Sequence, residues 1–354
     1  MLSINISSFA DPSKYQLSKL PRPSLSEATD IVIQVHAASI NPIDVKKASG
    51  IFKAGLPEEF PYMIGYDCAG VVAETGSKVS RFKVGDEVYV RLPERSRGSW
   101  SEYVKCEESF VALKPKSLSF GDAASLPLAA LTALQALRKY RGSLVGKTVF
   151  IPGGLSGTGA YACQLAKNVF HAGKVITTVS TSKVDKVPQL LGEGVVDQII
   201  DYTKDDVMKI ISRGSVDFIM DTTAQAMQFL SLMTPSTSTI ISISTLPSGT
   251  QLQEAPVMNR PDKPRLPWFI RLALNAADSI KQFRARRWGV HYEYMFLESN
   301  GKDLDSLSKY VEEGSLSSVV GSRVNFRDLA KVREACNIVY SGKGGIGKAV
   351  IEIL

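Results

Sequence analysis

The sequence predicts an α/β protein of two domains, in which a β-rich part precedes a doubly wound, mainly parallel sheet. Up to about Gly121, short β-branched runs are separated by glycine-containing turns, and helical signals are sparse. From Lys147 onward, strand-like runs alternate with helix-like runs, which is typical of a parallel sheet covered by helices. A chain of 354 residues is long enough for two domains at roughly 100–200 residues each.

In the β-rich part, the clearest strand signals are short runs bounded by turn formers, at residues 31–35, 70–76 and 84–90. The Ala/Leu-rich stretch 121–137 then predicts helix. The following strand signals lie at residues 148–151, 174–179, 197–200, 216–221 and 239–243, with a helical stretch at 160–169.

The tail predicts helices at residues 304–311 and 329–339 and a closing strand at 349–353. We expect that strand to return to the first domain, which would make this domain discontinuous. The expected bounds are residues 1–126 and 300–354 for the first domain and 127–299 for the second.

Composition excludes several classes of protein. With 44% hydrophobic and 22% charged residues, the chain is neither disordered nor collagen-like nor a coiled coil. Its four cysteines are too widely spaced for a metal knuckle or a disulfide framework, which favours a reducing compartment. Because we find no signal peptide and no apolar run of about 18 residues, we expect a cytoplasmic protein without a membrane span.

The strongest chemical signal is a glycine-rich turn at residues 153–159, between a predicted strand and a predicted helix. Glycines let the backbone approach a pyrophosphate closely, and the helix N-terminus offers free N–H donors and a favourable dipole. The spacing is not a strict G-x-G-x-x-G, so an ordinary glycine turn is the alternative. With strands and helices alternating around it, the turn favours a dinucleotide cofactor.

The residues at the end of the next strand indicate whether the cofactor is NAD or NADP. An NAD enzyme usually has an acidic residue there for the ribose 2′-hydroxyl. Here Ser180 and Lys183 flank that strand end, and the first acid, Asp185, comes later. Hydroxyls and an ammonium suit a 2′-phosphate, so the sequence favours an NADPH site at this strand end. The alternative is a polar loop whose lysine is only solvated.

Further motifs follow in order along the chain: NPIDVK at 41–46, GYDCAGVV at 65–72, FKVGDEV at 82–88, LPLAALTA at 126–133 and the turn at Gly157. With them the chain resembles the zinc-independent medium-chain dehydrogenases/reductases, in the quinone oxidoreductase (zeta-crystallin-like) and enoyl reductase branch. The resemblance implies a GroES-like catalytic domain, a Rossmann domain, NADPH in the cleft between them, and a homodimer.

The resemblance also implies a set of cofactor-binding residues. From the nicotinamide to the adenine end and back, these are Asn41, Thr132, Ser244, Thr245, Ser156, Gly157, Thr158, Ser180, Lys183, Tyr202 and Lys348. Some have plainer explanations: Asn41 as a turn cap, Thr132 bonding its own helix, Tyr202 as strand-end packing and Lys348 as a solvated base.

Zinc is not expected, because the positions of its ligands carry other residues. Asn41 lies in the segment that bears a cysteine in zinc-dependent relatives, and Tyr66 replaces their histidine. A catalytic zinc needs about three protein ligands. The three histidines, His36, His171 and His291, stand alone in the sequence.

Without a Lewis acid, reduction of an already activated acceptor is easier than alcohol oxidation. We therefore expect an NADPH-dependent, metal-independent reductase that transfers hydride to a quinone or an α,β-unsaturated carbonyl. Asn41, Lys46 and Tyr66 are the candidate catalytic residues; Lys46 or Tyr66 could donate a proton, unless solvent does. The alternatives are a trans-acting enoyl reductase or dehydrogenase of a secondary-metabolite (polyketide) pathway, and a non-catalytic NADPH-binding sensor or structural protein.

An inserted segment at about residues 247–289 contains most of the net charge. Residues 260–287 hold eight basic and two acidic residues, a net charge of +6 out of the chain's +7, so a general nucleic-acid-binding coat is not expected. Its apolar residues recur at helical spacing: Phe269, Leu272, Ala273, Ala276, Ile280 and Phe283. We expect a packed surface helix near the cleft, with a lid, a subunit contact or a peripheral membrane contact as alternatives.

Overall fold

The computed structural model describes residues 1–55, 57–342 and 345–354. The strands are β1 Leu2–Ile6, β2 Gln16–Lys19, β3 Asp30–Ile40, β4 Tyr62–Met63, β5 Asp67–Thr75, β6 Glu87–Arg91, β7 Tyr103–Glu107, β8 Val111–Leu113, β9 Thr148–Pro152, β10 Lys174–Val179, β11 Gln198–Asp201, β12 Phe218–Asp221, β13 Thr239–Ser242, β14 His291–Tyr294, β15 Val320–Asn325 and β16 Lys348–Glu352. The α-helices are α1 Pro42–Ala48, α2 Phe120–Ala124, α3 Pro127–Arg138, α4 Gly157–Gln164, α5 Lys186–Leu191, α6 Val207–Ile210, α7 Gly249–Glu254, α8 Trp268–Arg287, α9 Gly301–Glu312 and α10 Leu329–Ser341.

The second half of the chain forms a six-stranded sheet in the order β11-β10-β9-β12-β13-β14. Every neighbouring pair in it is parallel, which confirms the predicted doubly wound sheet. Its five predicted strands all form, and β14 adds a sixth at the edge that the sequence pattern did not predict. The helix after the glycine turn is α4, continued by a π-helical turn over Leu165–Val169.

The β-rich first part forms a seven-stranded sheet, ordered β15-β16-β3-β5-β6-β8 with β7 paired to β3. A smaller, three-stranded sheet has the order β2-β1-β4. The closing strand β16 pairs antiparallel with β3, between Ala349 and Ile40 at one end and Glu352 and Ala37 at the other. This confirms the predicted GroES-like fold class, whereas the exact domain bounds stay a prediction.

The core explains why α3 and α4 lie where they do. α3 is rich in alanine and leucine, and α4 carries small residues at most positions. Most of α3 and the second half of α4 are buried in the largest apolar cluster, together with Val149 and Ile151 of β9. Small side chains allow the helices to approach the sheet closely. The N-terminus of α4 is thereby held at the carboxyl end of β9, where ligands bind in sheets of this kind.

The amphipathic helix of the inserted segment forms as α8. The expectation that its apolar stripe packs against the protein is wrong. Ile270, Leu274 and Ala285 face inward, whereas Phe269, Ile280 and the rest of the predicted apolar stripe are exposed. The helix therefore packs through its other, more polar side. Over the described residues, no helix is both long enough and apolar enough to cross a membrane.

Candidate active site

The glycine turn between β9 and α4 is shaped by close backbone contacts. Gly153 has a φ of +74°, which favours glycine. A Cβ on Gly159 would overlap the carbonyl oxygen of Gly153, so the helix and the turn can approach this closely only without a side chain there. Ser156 is the N-cap, and its Oγ accepts a hydrogen bond from the N–H of Gly159 at 3.0 Å.

This turn fits a dinucleotide pyrophosphate. Ser156, Gly157 and Thr158 are partly exposed at the helix N-terminus, whereas the residues before and after them are buried. The first turn of a helix has N–H groups without intrahelical partners, and they favour an anion. The three residues predicted to bind the pyrophosphate are therefore brought together in a cradle that a larger side chain would obstruct.

The adenine end of the predicted site follows β10. Ser180 caps the short 3₁₀ turn Thr181–Lys183, and Lys183 Nζ donates to the carbonyl of Gly345 at 2.7 Å. Partial burial lowers the pKa of Lys183. Tyr202, just after β11, is exposed, as a residue stacking on a ligand could be.

A carboxylate that the sequence analysis did not consider lies near these residues. Asp201 Oδ2 accepts a hydrogen bond from Thr181 Oγ1 at 2.6 Å, and Asp201 Oδ1 accepts one from Thr203 Oγ1 at 2.7 Å. These bonds, Thr181 first, lower the pKa of Asp201. Its oxygens are thus engaged within the protein.

At the other end of the cofactor path, Asn41 is at the centre of a buried polar cluster. Its Nδ2 donates to Asp67 Oδ2 at 2.9 Å, and its backbone N–H donates to Asp44 Oδ2 at 2.6 Å. Lys348 Nζ donates to Asn41 Oδ1, and to the carbonyl of Ile40 at 3.1 Å. Asn41 does cap α1, as its plainer interpretation predicted, and it also links a lysine to a carboxylate.

Lys348 connects this cluster to the glycine turn. It begins β16, and a Cβ on Gly157 would lie 3.0 Å from its Cδ. Ser156 and Gly347 also form a bridge between the turn and the residue before β16. Lys348 is buried, so the interpretation as a solvated base is wrong. Its side chain crosses the turn and ends at Asn41.

Burial perturbs every ionisable group of this cluster. It raises the pKa of Asp44 to about 8, with the charge of Asp67 adding to the effect. It also raises the pKa of Asp67, against the opposing effect of Lys348, and lowers the pKa of Lys348 itself. Such perturbed groups in one cluster are typical of functional sites, although structural ion networks show them too.

The other residues predicted near the nicotinamide use their side chains within the protein. Thr132 Oγ1 donates to the carbonyl of Leu128 at 2.6 Å, one turn back in α3. Ser244 Oγ accepts from the N–H of Ala224 and donates to the carbonyl of Asp221. Thr245 Oγ1 lies 2.6 Å from Tyr292 Oη. The bonds of Ser244 and Thr245 shape the loop after β13. Because both side chains are engaged, only the backbone of this loop could bind the carboxamide of a cofactor.

The two candidate proton donors lie in opposite environments. Lys46 is exposed on α1, with its side chain outside every hydrogen bond and ion pair found among the described residues. Tyr66 is fully buried, and its hydroxyl donates to Glu94 Oε2 at 2.7 Å. Burial raises the pKa of Tyr66 well above its ordinary value, which makes it a weaker acid.

Tyr66 belongs to a buried ion cluster that sequence reasoning missed. Lys47 Nζ pairs with Glu94 and with Glu58 Oε1, the latter at 2.9 Å. Arg97 pairs with Glu58 Oε2 at 2.5 Å and with Glu94 Oε1 at 3.2 Å. Lys47 Nζ also donates to Tyr66 Oη at 3.3 Å, so the phenol is bonded into this cluster from two sides. Within the described ranges, no group of three or more His, Cys, Asp or Glu side chains could hold a metal ion.

Asp67 and Asp44 are the functional candidates that the sequence could have revealed. Each is a carboxylate inside a motif of the resemblance, and Asp67 directly precedes the apolar run at residues 68–73, where a buried charge needs partners. Lys47, Glu58 and Glu94 carry no such signal, because charges on loops and helix ends are ordinarily solvated.

Two family models match the chain. Residues 27–116 match the alcohol dehydrogenase GroES-like domain, and residues 196–351 match the zinc-binding dehydrogenase model. The chain is 32% identical over 341 residues to a 2-methylene-furan-3-one reductase of Solanum lycopersicum, covering 95% of this chain and 74% of that protein. It is 33% identical over 354 residues to the mitochondrial NAD(P)H oxidoreductase RTN4IP1 of Bos taurus, covering 94% and 84%.

Among solved structures, the quinone oxidoreductase from Coxiella burnetii matches with a TM-score of 0.79 and 27% identity, over 100% of this chain and 99% of that one. The name of the bovine relative specifies NAD(P)H, and the glycine turn of this chain fits such a cofactor. The chain therefore belongs to the medium-chain dehydrogenase/reductase superfamily, in its quinone oxidoreductase branch, and is a nicotinamide-dependent oxidoreductase enzyme.

Proposed function

We propose that this enzyme is an NADPH-dependent, metal-independent reductase that transfers hydride to a quinone or an α,β-unsaturated carbonyl. One observation carries the proposal: the side chain of Lys348 extends from the glycine turn at Gly157 to the buried Asn41. The glycine turn and the polar cluster around Asn41 thus lie next to each other, as a cofactor that spans both would require. The named reaction of the tomato relative, reduction of a furanone that carries a conjugated methylene group, supports the same acceptor class.

In this proposal the chain's residues bind, orient and exclude water. The N-terminus of α4 would hold the pyrophosphate, and Asn41 and Lys348 would line the nicotinamide end of the site. When bound, the nicotinamide supplies the hydride. Positioning of an activated acceptor against it is the main catalytic contribution, because such acceptors need no Lewis acid.

The proton that completes the reduction comes from solvent in this proposal. Tyr66 already donates to Glu94, and its raised pKa opposes release of the proton. Lys46 is exposed and has no partner within the described residues that would aim it at the cleft. An enolate or hydroquinone anion leaving the cleft is basic enough to take a proton from water.

The preference for NADPH is assigned to Ser180 and Lys183. Their hydroxyl and ammonium lie on one turn after β10, and both groups bind phosphate oxygens well. The ammonium of Lys183 is held by the carbonyl of Gly345, which keeps it near the turn.

The test is initial-rate assays of NADPH and NADH oxidation against a panel of quinones and enones. We expect turnover with NADPH and a several-fold lower kcat/KM with NADH. Lys183→Ala should remove most of this preference, because one charge-assisted hydrogen bond contributes up to about tenfold. Lys174→Ala, at the other end of β10, is the matched control. Absence of NADPH oxidation with every acceptor would refute the proposal.

The proposal includes a homodimer and a cytoplasmic location. Sedimentation equilibrium tests the first. Fractionation of the source cells tests the second, and recovery in mitochondria, as the name of the bovine relative specifies for that protein, would contradict it.

A further inference from the structure

The outward side of α8 carries an unusual density of exposed apolar side chains. Trp268, Phe269, Leu272, Ile280 and Phe283 are each between 58% and 74% exposed. At 100° per residue, Phe269, Leu272, Ile280 and Phe283 fall on one side of the helix, and Trp268 lies at its N-terminal edge. We call these five residues the apolar face of α8. Exposed aromatic and aliphatic groups in such a continuous set mark an interaction surface.

The orientation of α8 is set by contacts on its opposite side. Gly249 of α7 packs against the backbone of Arg271 so closely that a Cβ would overlap it. Asn275 Oδ1 accepts from the N–H of Thr250 at 3.0 Å, and Gln282 Nε2 donates to the carbonyl of Tyr292 at 3.2 Å. The polar side of the helix is therefore bonded to the protein, and rolling the apolar face inward would break these bonds.

The charges around the apolar face have one sign. Both acids of residues 260–287 are already paired, Asp262 with Arg260 and Asp278 with Lys281. Six further bases of this segment form no ion pair with any described residue: Lys263, Arg265, Arg271, Arg284, Arg286 and Arg287. The segment thus carries six bases without an ion-pair partner among the described residues, and all but Arg271, which lies on the polar side of α8, can accompany the apolar face.

This combination selects one occupant. A second copy docked face to face by a two-fold axis would place these bases against their own counterparts. An anionic lipid surface instead accepts aromatic and leucine side chains at the headgroup level and attracts lysine and arginine around them. A helix with low overall hydrophobicity and such a face lies in the interface and does not span the bilayer.

We propose that α8 binds peripherally to the surface of an anionic lipid bilayer, with its apolar face in the headgroup region and its unpaired bases against lipid phosphates. This binding is independent of the proposed reduction, which needs no membrane. The chain offers a built-in reporter, because Trp268 is 74% exposed and Trp288 is 48% exposed, whereas Trp100 is fully buried.

The first test uses the unmodified protein with vesicles of phosphatidylcholine alone or mixed with phosphatidylglycerol. We expect a blue shift of tryptophan emission, and quenching by acyl-brominated lipid, only with the anionic vesicles. Binding should weaken steeply with added salt, because the bases act through screened electrostatics. No shift and no co-sedimentation with anionic vesicles would overturn the proposal.

Variants then separate the contribution of the apolar face from that of the basic residues. We expect Phe269→Ser with Phe283→Ser, and separately Arg265→Glu with Arg286→Glu and Arg287→Glu, to lower the partition coefficient by at least about tenfold. Lys78→Glu with Lys83→Glu and Lys116→Glu is the matched control, since it makes the same charge change on exposed residues of the catalytic domain. Far-UV circular dichroism checks that each variant is folded.

Two further results would count against the lipid surface. Unchanged vesicle binding by both α8 variants would place the contact elsewhere. Dissociation of a dimer by the phenylalanine variant, with no vesicle binding by the unmodified protein, would assign the face to a second copy.

Discussion

Asp67 shows how a single residue links sequence to function in this enzyme. Its two carboxylate oxygens accept hydrogen bonds from Ser39, Asn41 and the N–H of Leu128, at 2.9 to 3.0 Å. Because a buried carboxylate is costly unless it is fully partnered, Asp67 fixes Asn41 and the start of α3 around it. It thus positions the asparagine that Lys348 contacts, without itself being exposed to a substrate.

The first prediction concerns Lys348. Lys348→Met keeps the chain length but removes the donor to Asn41 and the cation 3.9 Å from Asp67. We expect the dissociation constant of NADPH, measured by fluorescence titration, to rise by about tenfold, since a hydrogen bond from this ammonium to the bound cofactor would contribute on the order of 1.5 kcal/mol. Lys46→Met, on the exposed side of α1, is the control and should change it by less than about twofold. An unchanged constant for Lys348→Met would show that this lysine does not serve the cofactor.

The second prediction separates structure from proton donation at Tyr66. Tyr66→Phe removes the hydroxyl that donates to the buried Glu94. Urea denaturation should show a loss of about 1–3 kcal/mol, because an acceptor of the ion cluster loses its partner. We expect kcat to change only a few-fold. Tyr202→Phe, with an exposed hydroxyl, should leave stability unchanged. A fall in kcat of more than about a hundredfold in folded Tyr66→Phe would identify the phenol as the proton donor.

The third prediction follows from the pKa of Asp44, which burial and Asp67 raise to about 8. Between the ordinary carboxyl pKa and about 8, the folded chain keeps a proton that the unfolded chain has released. The contribution of Asp44 to the free energy of unfolding is therefore favourable at low pH and is lost as the pH rises through this window.

Asp44→Asn removes this dependence. We expect the variant to gain stability relative to the unmodified protein between about pH 5 and about pH 8, by about 1 kcal/mol or more. Urea denaturation at both pH values measures the difference. Glu59→Gln, an exposed acid of the same domain, should show no such gain. A difference that stays constant with pH would mean that Asp44 titrates normally.

At the scale of elements, the turn between β9 and α4 depends on two glycines in different ways. A Cβ at Gly159 meets backbone, the carbonyl oxygen of Gly153, whereas a Cβ at Gly157 meets a side-chain carbon, Cδ of Lys348. Backbone cannot yield without moving the turn, but a lysine side chain can.

The fourth prediction is therefore a difference between two alanine variants. Gly159→Ala should lower stability by about 1–3 kcal/mol and abolish measurable NADPH binding, because it displaces the pyrophosphate cradle. Gly157→Ala should cost less stability and weaken NADPH binding only moderately. Thermal denaturation and NADPH titration compare them. Equal effects of the two variants would refute the assignment of the close approach to Gly159.

The helix α8 illustrates what a periodic pattern leaves undecided. Apolar residues at helical spacing predicted a helix, and α8 forms, but the same pattern suggested that these residues face the protein. The structure bonds the polar side inward through Asn275 and Gln282. Periodicity determines which residues share a face, whereas the partners of that face come from elsewhere in the chain.

At the scale of the whole molecule, the inserted segment is tied to the catalytic domain. Arg260 Nη1 pairs with Glu58 Oε1 at 2.9 Å, and Leu266 packs where a Cβ on Gly55 would overlap it. Glu58 in turn pairs with Lys47 and Arg97. The ion cluster behind Tyr66 therefore extends into the inserted segment.

The fifth prediction tests this connection. Arg260→Met should detach the segment 256–267 from Glu58, while Lys47 and Arg97 keep that carboxylate paired. We expect hydrogen exchange across 256–267 to quicken several-fold, because a buried ion pair is broken there. Arg265→Met, an exposed neighbour, is the control. Unchanged exchange in Arg260→Met would show that the packing of Leu266 and the hydrogen bonds to Gln253 hold the segment without the ion pair.

Local patterns were sufficient for much of this protein. Alternating strand and helix signals determined the parallel sheet, and the glycine turn with Ser180 and Lys183 indicated a nicotinamide dinucleotide, because backbone close approach and phosphate affinity are properties of short segments. The motifs around Asn41 and Tyr66 indicated the family and the fold of the first domain. None of these inferences required knowledge of contacts between distant residues.

Only the tertiary structure decided which side chains meet. Lys348 and Asn41 are separated by 307 positions, yet they touch because β16 pairs with β3. Lys46 and Lys47 are neighbours in sequence, but the helix turns one to solvent and the other into a buried ion cluster. Burial and pairing are long-range properties, so the sequence alone determined the fold class and the cofactor turn, whereas the folded chain determined which charged residues belong to the site.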